Sequence, residues 1–248
     1  MPRHARKKSK TGIYHVIMRG INRQVIFEDD EDNDKFIETL KAFKTKSGYK
    51  IYAYCLMGNH FHLLLKVDAE ELELIIKRIA GSYVYWYNLK YRRSGHLFQD
   101  RFKSEAVEND PYLLTVIRYI HQNPLKAGLC KDISKYRYSS YLEYINEHPE
   151  LVDIYDIFQI VDKETFVNFN KERDTDNCID VSDDANRIND TDGASIVQAV
   201  SGCISVSEFQ SLDISERDRL IRELRDKGLS IRQISRLTGI SVGIVRNR

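Results

Sequence analysis

At 248 residues the chain can bury a sizeable core in one or two domains without disulfides or a structural metal. No run of about 18 apolar residues occurs, which excludes a membrane-spanning helix, and Cys55, Cys130, Cys178 and Cys203 lack Cys-x-x-Cys spacing, which argues against a zinc ribbon and fits a reducing cytoplasm. The formal charge of +1 hides three blocks: 25 Lys/Arg against 16 Asp/Glu over residues 1–140, 4 against 15 over 141–200, and 9 against 6 over 201–248.

Two basic ends around an acidic middle suggest two surfaces for a polyanion, with a segment that repels it or shields one of them. The first ten residues are basic, with Arg3, Arg6, Lys7, Lys8 and Lys10, but no apolar stretch follows them, so a secretory signal is not expected. Ile13 to Gly20 reads as a β-rich strand closed by a glycine. Phe36, Leu40 and Phe43 recur at helical spacing and predict a helix over about 31–47, stopped at Gly48. Tyr49–Leu56 and His60–Val67 follow as two strands joined through Met57-Gly58-Asn59.

The stripe Leu72, Ile75, Ile76, Ile79, Tyr83, Trp86, Tyr87 marks a second long helix. A strand near Leu97–Val107 and a third helix from about Pro111 to Gln122 complete the order β-α-β-β-α-β-α. That order predicts an α+β fold of the ferredoxin-like, split β-α-β type, an antiparallel sheet with helices mainly on one face. Residues 1–145 form this first domain. Residues 146–205 read as an acidic linker region with some helix, and 170–193 in particular have the Asp/Asn-rich composition of a mobile loop.

Residues 206–248 read as a small all-α domain. Ser215 is placed to cap one helix and Ser230 with Gln233 to form a capping box for the next. Thr238-Gly239-Ile240 turns the chain into a last helix beginning at Ser241. Two short helices around a glycine-containing turn, with Ile231, Ile234, Leu237, Ile240 and Val245 as shared core, predict a helix-turn-helix, for which any small three-helix bundle is the plainer reading.

Side chains alternate across a strand, so His60 and His62 project to one face and Phe61 to the other. Two imidazoles about 7 Å apart along the backbone can converge on one divalent ion. On the third helix Tyr119 and Asn123 stand at i and i+4 and share a face. An Asn123 amide would complete a mixed His/His/Asn set suited to Mg²⁺ or Mn²⁺, with a phenol alongside. Pro124 makes Asn123 an equally good C-terminal cap, and Tyr112 falls on nearly the same helical face as Tyr119, so spacing alone leaves the nucleophile open.

Four segments in order, Tyr54-Cys-Leu-Met-Gly-Asn-His-Phe-His-Leu-Leu, Gly95-His-Leu-Phe-Gln-Asp-Arg-Phe-Lys103, Tyr119-Ile-His-Gln-Asn-Pro-Leu-Lys-Ala-Gly128 and Tyr138-Ser-Ser-Tyr141, resemble the single-tyrosine HUH transposases of the IS200-like family, most closely the REP-associated branch. The resemblance covers about residues 10–145. It implies that His60 and His62 bind Mg²⁺ or Mn²⁺, that Asn123 is the third ligand, and that Tyr119 is the nucleophile in single-stranded DNA cleavage and strand transfer through a 5′-phosphotyrosine.

Arg19, Arg101, Lys103 and Arg246 are the candidate DNA-binding residues. Arg92 and Arg93 add charge near Tyr91, Phe98 and Phe102, rings able to stack on unpaired bases. The implied partner is single-stranded DNA with hairpin or repeat structure. A homodimer is compatible, since related transposases can act as dimers although the repeat-associated branch need not. A DNA-binding regulator without catalysis and a zinc hydrolase using the same His-x-His are the competing classes.

Overall fold

The computed structural model describes residues 6–172, 178–180 and 190–248. The chain divides into two compact units, residues 1–181 and 182–248. Among the described residues no helix is long and apolar enough to cross a membrane.

The first unit is built on strands β1 (Ile13–Arg19), β2 (Lys50–Met57), β3 (His60–Lys66) and β4 (Lys103–Val107), with helices α1 (Asp30–Ser47), α2 (Leu72–Lys90) and α3 (Asp110–Lys126) between and after them. The sheet order is β2-β3-β1-β4 and every neighbouring pair is antiparallel. This is the expected split β-α-β arrangement: each β-α-β crossover leaves room for one antiparallel strand between its two ends.

Local chemistry accounts for the helix ends. Asp29 and Asp32 form a reciprocal capping box at the start of α1, and Gly48 closes that helix in the left-handed region. Asn109 caps α3 and Pro111 occupies its first turn.

Phe61, Leu63 and Leu65 of β3 face α1 and α2. Phe36 of α1 lies 4.6 Å from Phe61 and 5.1 Å from Tyr83 of α2 between ring centroids, and all three are fully buried. The other face, carrying His62 and Leu64, is covered by α3. Strand β3 is therefore central in order and buried on both sides, which holds the residues along it to one geometry.

Three shorter helices, α4 (Tyr141–Asn146), α5 (Ile154–Phe158) and α6 (Lys163–Lys171), complete this unit. Tyr144 of α4 stacks on Phe166 of α6 at 4.4 Å, and its hydroxyl donates to the Tyr52 carbonyl. The first unit thus extends well past the expected boundary at 145. Leu151, Val152, Ile154, Ile157 and Phe166 join its core, although acidic surface positions dominate the composition there. Much of the stretch 170–193 read as a mobile loop lies outside the described residues.

The second unit contains α7 (Asp190–Ser201), α8 (Val206–Ser211), α9 (Ile214–Asp226), α10 (Ile231–Thr238) and α11 (Val242–Arg246). Val197 of α7 is buried with Phe209, Leu220, Ile221, Leu224, Ile234, Ile240 and Val245, so this unit begins before the expected position 206. The cap of α9 is Asp213, whose carboxylate accepts from the Ser215 N–H; Ser215 is the capped residue and not the cap. The capping box of Ser230 and Gln233 forms as expected. Between α10 and α11, Gly239 sits at φ 69°, and a Cβ there would meet Val206 at 2.6 Å, so both conformation and packing require glycine.

Candidate functional site

Strand alternation sets His60 and His62 on the face covered by α3, with ring centroids 5.2 Å apart. His60 is partly exposed and His62 fully buried. Burial pushes the His60 imidazole down to about 4 and that of His62 well below its ordinary value, so both are neutral near pH 7.

A neutral imidazole has one N–H and one lone pair. His60 Nδ1 lies 2.7 Å from Asn59 Oδ1, an acceptor, so the lone pair of His60 resides on Nε2. His62 Nδ1 lies 3.0 Å from His15 Nε2, while His62 Nε2 is buried with no hydrogen-bond partner among the described residues. A buried imidazole nitrogen left in that state costs about 1–3 kcal/mol. Two neutral imidazoles with one such orphaned nitrogen form a donor set that fits a divalent ion.

Helix α3 lays Tyr119 over His62 and His15. Its buried ring is 5.9 Å from both His62 and His15, edge-on to each, and Lys126 Nζ lies 4.5 Å from the ring centroid. The Tyr112 hydroxyl instead donates to Glu105.

Asn123 is buried one turn beyond Tyr119, and its amide nitrogen donates to the Tyr119 carbonyl at 3.0 Å. The amide oxygen is thus its donor atom for a cation. The helix runs through Pro124 to Lys126, so Asn123 is not its C-terminal cap. Proline is tolerated because it removes one backbone bond in the last turn only. Among the described residues no three His, Cys, Asp or Glu side chains are arranged to hold an ion, which sets this site apart from a three-ligand zinc centre.

Two further groups were not singled out from sequence. His15 of β1 is fully buried beside His62, and Glu105 of β4 has a carboxylate oxygen 3.9 Å from His15 Nδ1. The available signal is that His15 is the one polar residue within the apolar run Ile13–Met18. Recognising its partner requires the β1–β3 register, in which His15 pairs with Leu64 and so shares the His62 face.

A second buried network orients α3. Asn170 donates to the Phe166 carbonyl through its amide nitrogen, so its oxygen, 2.8 Å from His121 Nδ1, must be the acceptor. His121 is therefore neutral with its proton on Nδ1, consistent with burial lowering its pKa to about 4. Its Nε2 accepts from the Ser140 hydroxyl at 2.8 Å, and that oxygen accepts the Tyr54 N–H at 3.0 Å. Backbone bonds from Leu56 to the Tyr138 carbonyl and from Ser140 to the Tyr54 carbonyl add residues 138–140 to the edge of β2. The Tyr138-Ser-Ser-Tyr141 segment is thus a clamp between helix and sheet.

Arg19 is paired with His60 across β1 and β3, and Lys103 with Ile17 across β1 and β4, so both lie on the histidine face. Arg19 donates to Gln99 Oε1 at 3.2 Å and Lys103 to the Asp180 carbonyl at 3.4 Å. Arg101 precedes β4 in a bend, because the strand begins only at Lys103, and alternation therefore does not align the two. Both nevertheless line one groove of about 810 Å³ with Phe98 and Phe102. Tyr91 belongs elsewhere, its hydroxyl donating to Asp32. Arg246 is exposed on α11 of the second unit, and Arg3 lies outside the described residues.

Residues 8–123 match the family model described as IS200-like transposase. A Haemophilus influenzae protein named as a REP-associated tyrosine transposase is 24% identical over 153 residues, which is 57% of this chain and 86% of that protein. The solved structure of a REP-associated tyrosine transposase bound to a REP hairpin aligns with a TM-score of 0.53 at 18% identity, over 62% of this chain and 94% of the other, a likeness of fold.

Proposed function

We propose that the chain, whose residues 8–123 match the IS200-like transposase family model, is a transposase of that kind that cuts and rejoins single-stranded DNA through a covalent link to Tyr119. The observation that carries this reading is the position of the buried Tyr119 ring against His62, whose Nε2 has no hydrogen-bond partner among the described residues. The relatives' names and the hairpin bound by one of them support hairpin-bearing DNA of the repeat-associated kind as the substrate class.

In the first step the Tyr119 oxygen forms a bond to the scissile phosphorus. The bond from phosphorus to the 3′-oxygen breaks, that oxygen leaves and takes a proton, and the 5′-phosphate remains esterified to the tyrosine. Attack by a second 3′-hydroxyl on the phosphotyrosine reverses these changes and rejoins strands without an energy source, because the number of phosphodiester bonds is conserved.

Helix α3 supplies orientation, since its clamp to β2 fixes the face that Tyr119 presents. The Lys126 ammonium against the ring offsets negative charge gathering on the phenol oxygen. His60 and His62, with the Asn123 oxygen, would hold Mg²⁺ or Mn²⁺, which supplies Lewis acidity at a non-bridging phosphate oxygen when bound. Arg19, Lys103 and Arg101 bind the flanking backbone, and Phe98 at the groove offers a stacking surface. Helices α10 and α11, read as a helix-turn-helix, would dock the second unit on duplex DNA, such as a hairpin stem, with Arg246 at the contact.

The test incubates the protein with Mn²⁺ and hairpin-bearing single-stranded DNA and resolves the product on a denaturing gel. A protein–DNA adduct that disappears in Tyr119→Phe is expected. An adduct that survives the substitution refutes the assignment, and no adduct on any such substrate favours a DNA-binding regulator.

A further inference from the structure

We infer that His15 is a positioning residue: it accepts a hydrogen bond from His62 Nδ1–H and thereby turns the His62 Nε2 lone pair toward the ion, while Glu105 holds the far nitrogen of His15. The inference rests on the metal reading above.

The pair could be joined in either of two ways. His15 can donate from Nε2–H to His62 Nδ1, in which case His62 Nε2 carries the proton and has nothing to offer a cation. Alternatively, His15 accepts from His62 Nδ1–H and the lone pair falls on His62 Nε2.

Glu105 decides between them. Its carboxylate, an acceptor only, lies 3.9 Å from His15 Nδ1, a buried nitrogen with no hydrogen-bond partner among the described residues, and its negative charge favours the proton on that nitrogen. With its proton on Nδ1, the fully buried His15 presents the lone pair of Nε2 to His62 Nδ1, 3.0 Å away. Glu105 is held in turn by the Tyr112 hydroxyl and the Ile179 N–H. The ring planes of His15 and His62 lie 25° apart with centroids at 5.3 Å, and Tyr119 meets both edge-on, which restricts the pair from swinging.

The chain of contacts runs from carboxylate to imidazole to imidazole. It terminates on His62 Nε2, which has no hydrogen-bond partner among the described residues. Outer partners of this kind fix a ligand's tautomer and raise its basicity, and their loss commonly weakens metal affinity by about 10–100-fold.

The experiment measures Mn²⁺ affinity of the full chain without DNA, by the loss of the free-ion electron paramagnetic resonance signal, with a thermal melt run on each variant. In the wild type the binding should depend on His62, tested by His62→Ala. His15→Leu should bind about 10–100-fold more weakly, whereas His15→Gln, whose amide oxygen can occupy the Nε2 position and accept from His62, should recover affinity to within a few-fold of wild type.

Glu105→Gln, at a half-buried site where folding is not at risk, should weaken binding several-fold. Wild-type affinity in His15→Leu, or in Glu105→Gln if the leucine variant does not fold, overturns the inference. Equal loss in His15→Gln and His15→Leu also overturns it, since accepting a hydrogen bond would then be irrelevant. Wild-type binding indifferent to His62→Ala overturns the metal reading itself and this inference with it.

Discussion

Replacing Ser140 by alanine removes one oxygen atom from a fully buried site, and the structure shows which groups it strands. The hydroxyl donates to His121 Nε2 and accepts the Tyr54 N–H. Neither group can turn to water, because His121 is fully buried and Tyr54 lies under the edge segment 138–140. A buried polar group left unpaired costs about 1–3 kcal/mol, so two such groups set the expected loss at about 2–6 kcal/mol. In a unit of this size each kcal/mol lowers the melting temperature by roughly 2–4 °C, giving a drop of about 4–24 °C by calorimetry. The double variant Ser140→Ala/His121→Leu no longer strands an imidazole, so its cost should be smaller than the sum of the single costs. A Ser140→Ala loss below about 0.5 kcal/mol, the size of an ordinary surface substitution, would refute the clamp.

Acid should destabilise the first unit in a defined window. Folded His121 takes up a proton only near pH 4, whereas an exposed imidazole does so near 6.5, so between these values the unfolded chain binds more protons and stability falls as pH is lowered. This residue alone contributes up to about 3 kcal/mol. His60, also displaced to about 4, acts in the same direction, so unfolding free energy measured from pH 6.5 to 4 should reveal uptake of more than one proton; a flat profile would contradict the buried neutral histidines. For DNA, Arg19→Ala and Lys103→Ala should each weaken binding of single strands to a similar degree across sequences. Each should also reduce the slope of log affinity against log salt by about 0.7; unchanged slopes would remove these side chains from the phosphate path.

The strands and long helices were legible because their periodicities are strong. The alternation in His60–Lys66 and the stripe from Leu72 to Tyr87 each predict an element to within a few residues of its observed ends. The face shared by His60 and His62 followed from alternation alone. His15 did not, because its role depends on a strand register set by tertiary packing. The part played by Ser140 was hidden for a similar reason: its partners are 19 and 86 residues away in sequence. The expected linker differed most, since its charge reflects exposed positions while Ile154, Ile157 and Phe166 are spaced to complete a core. Proline at position 124 signalled a helix end near Gln122, whereas the backbone runs on through Pro124 to Lys126.

Mass-spectrometric mapping of the nucleotide-bearing peptide decides whether Tyr119 becomes esterified to DNA. After reaction with a hairpin-bearing single strand and digestion of protein and DNA, a nucleotide 5′-phosphate should be attached to Tyr119 and absent when Mn²⁺ is chelated before reaction. The same modification on Tyr112, or on any other tyrosine with Tyr119 unmodified, would refute Tyr119 as the nucleophile.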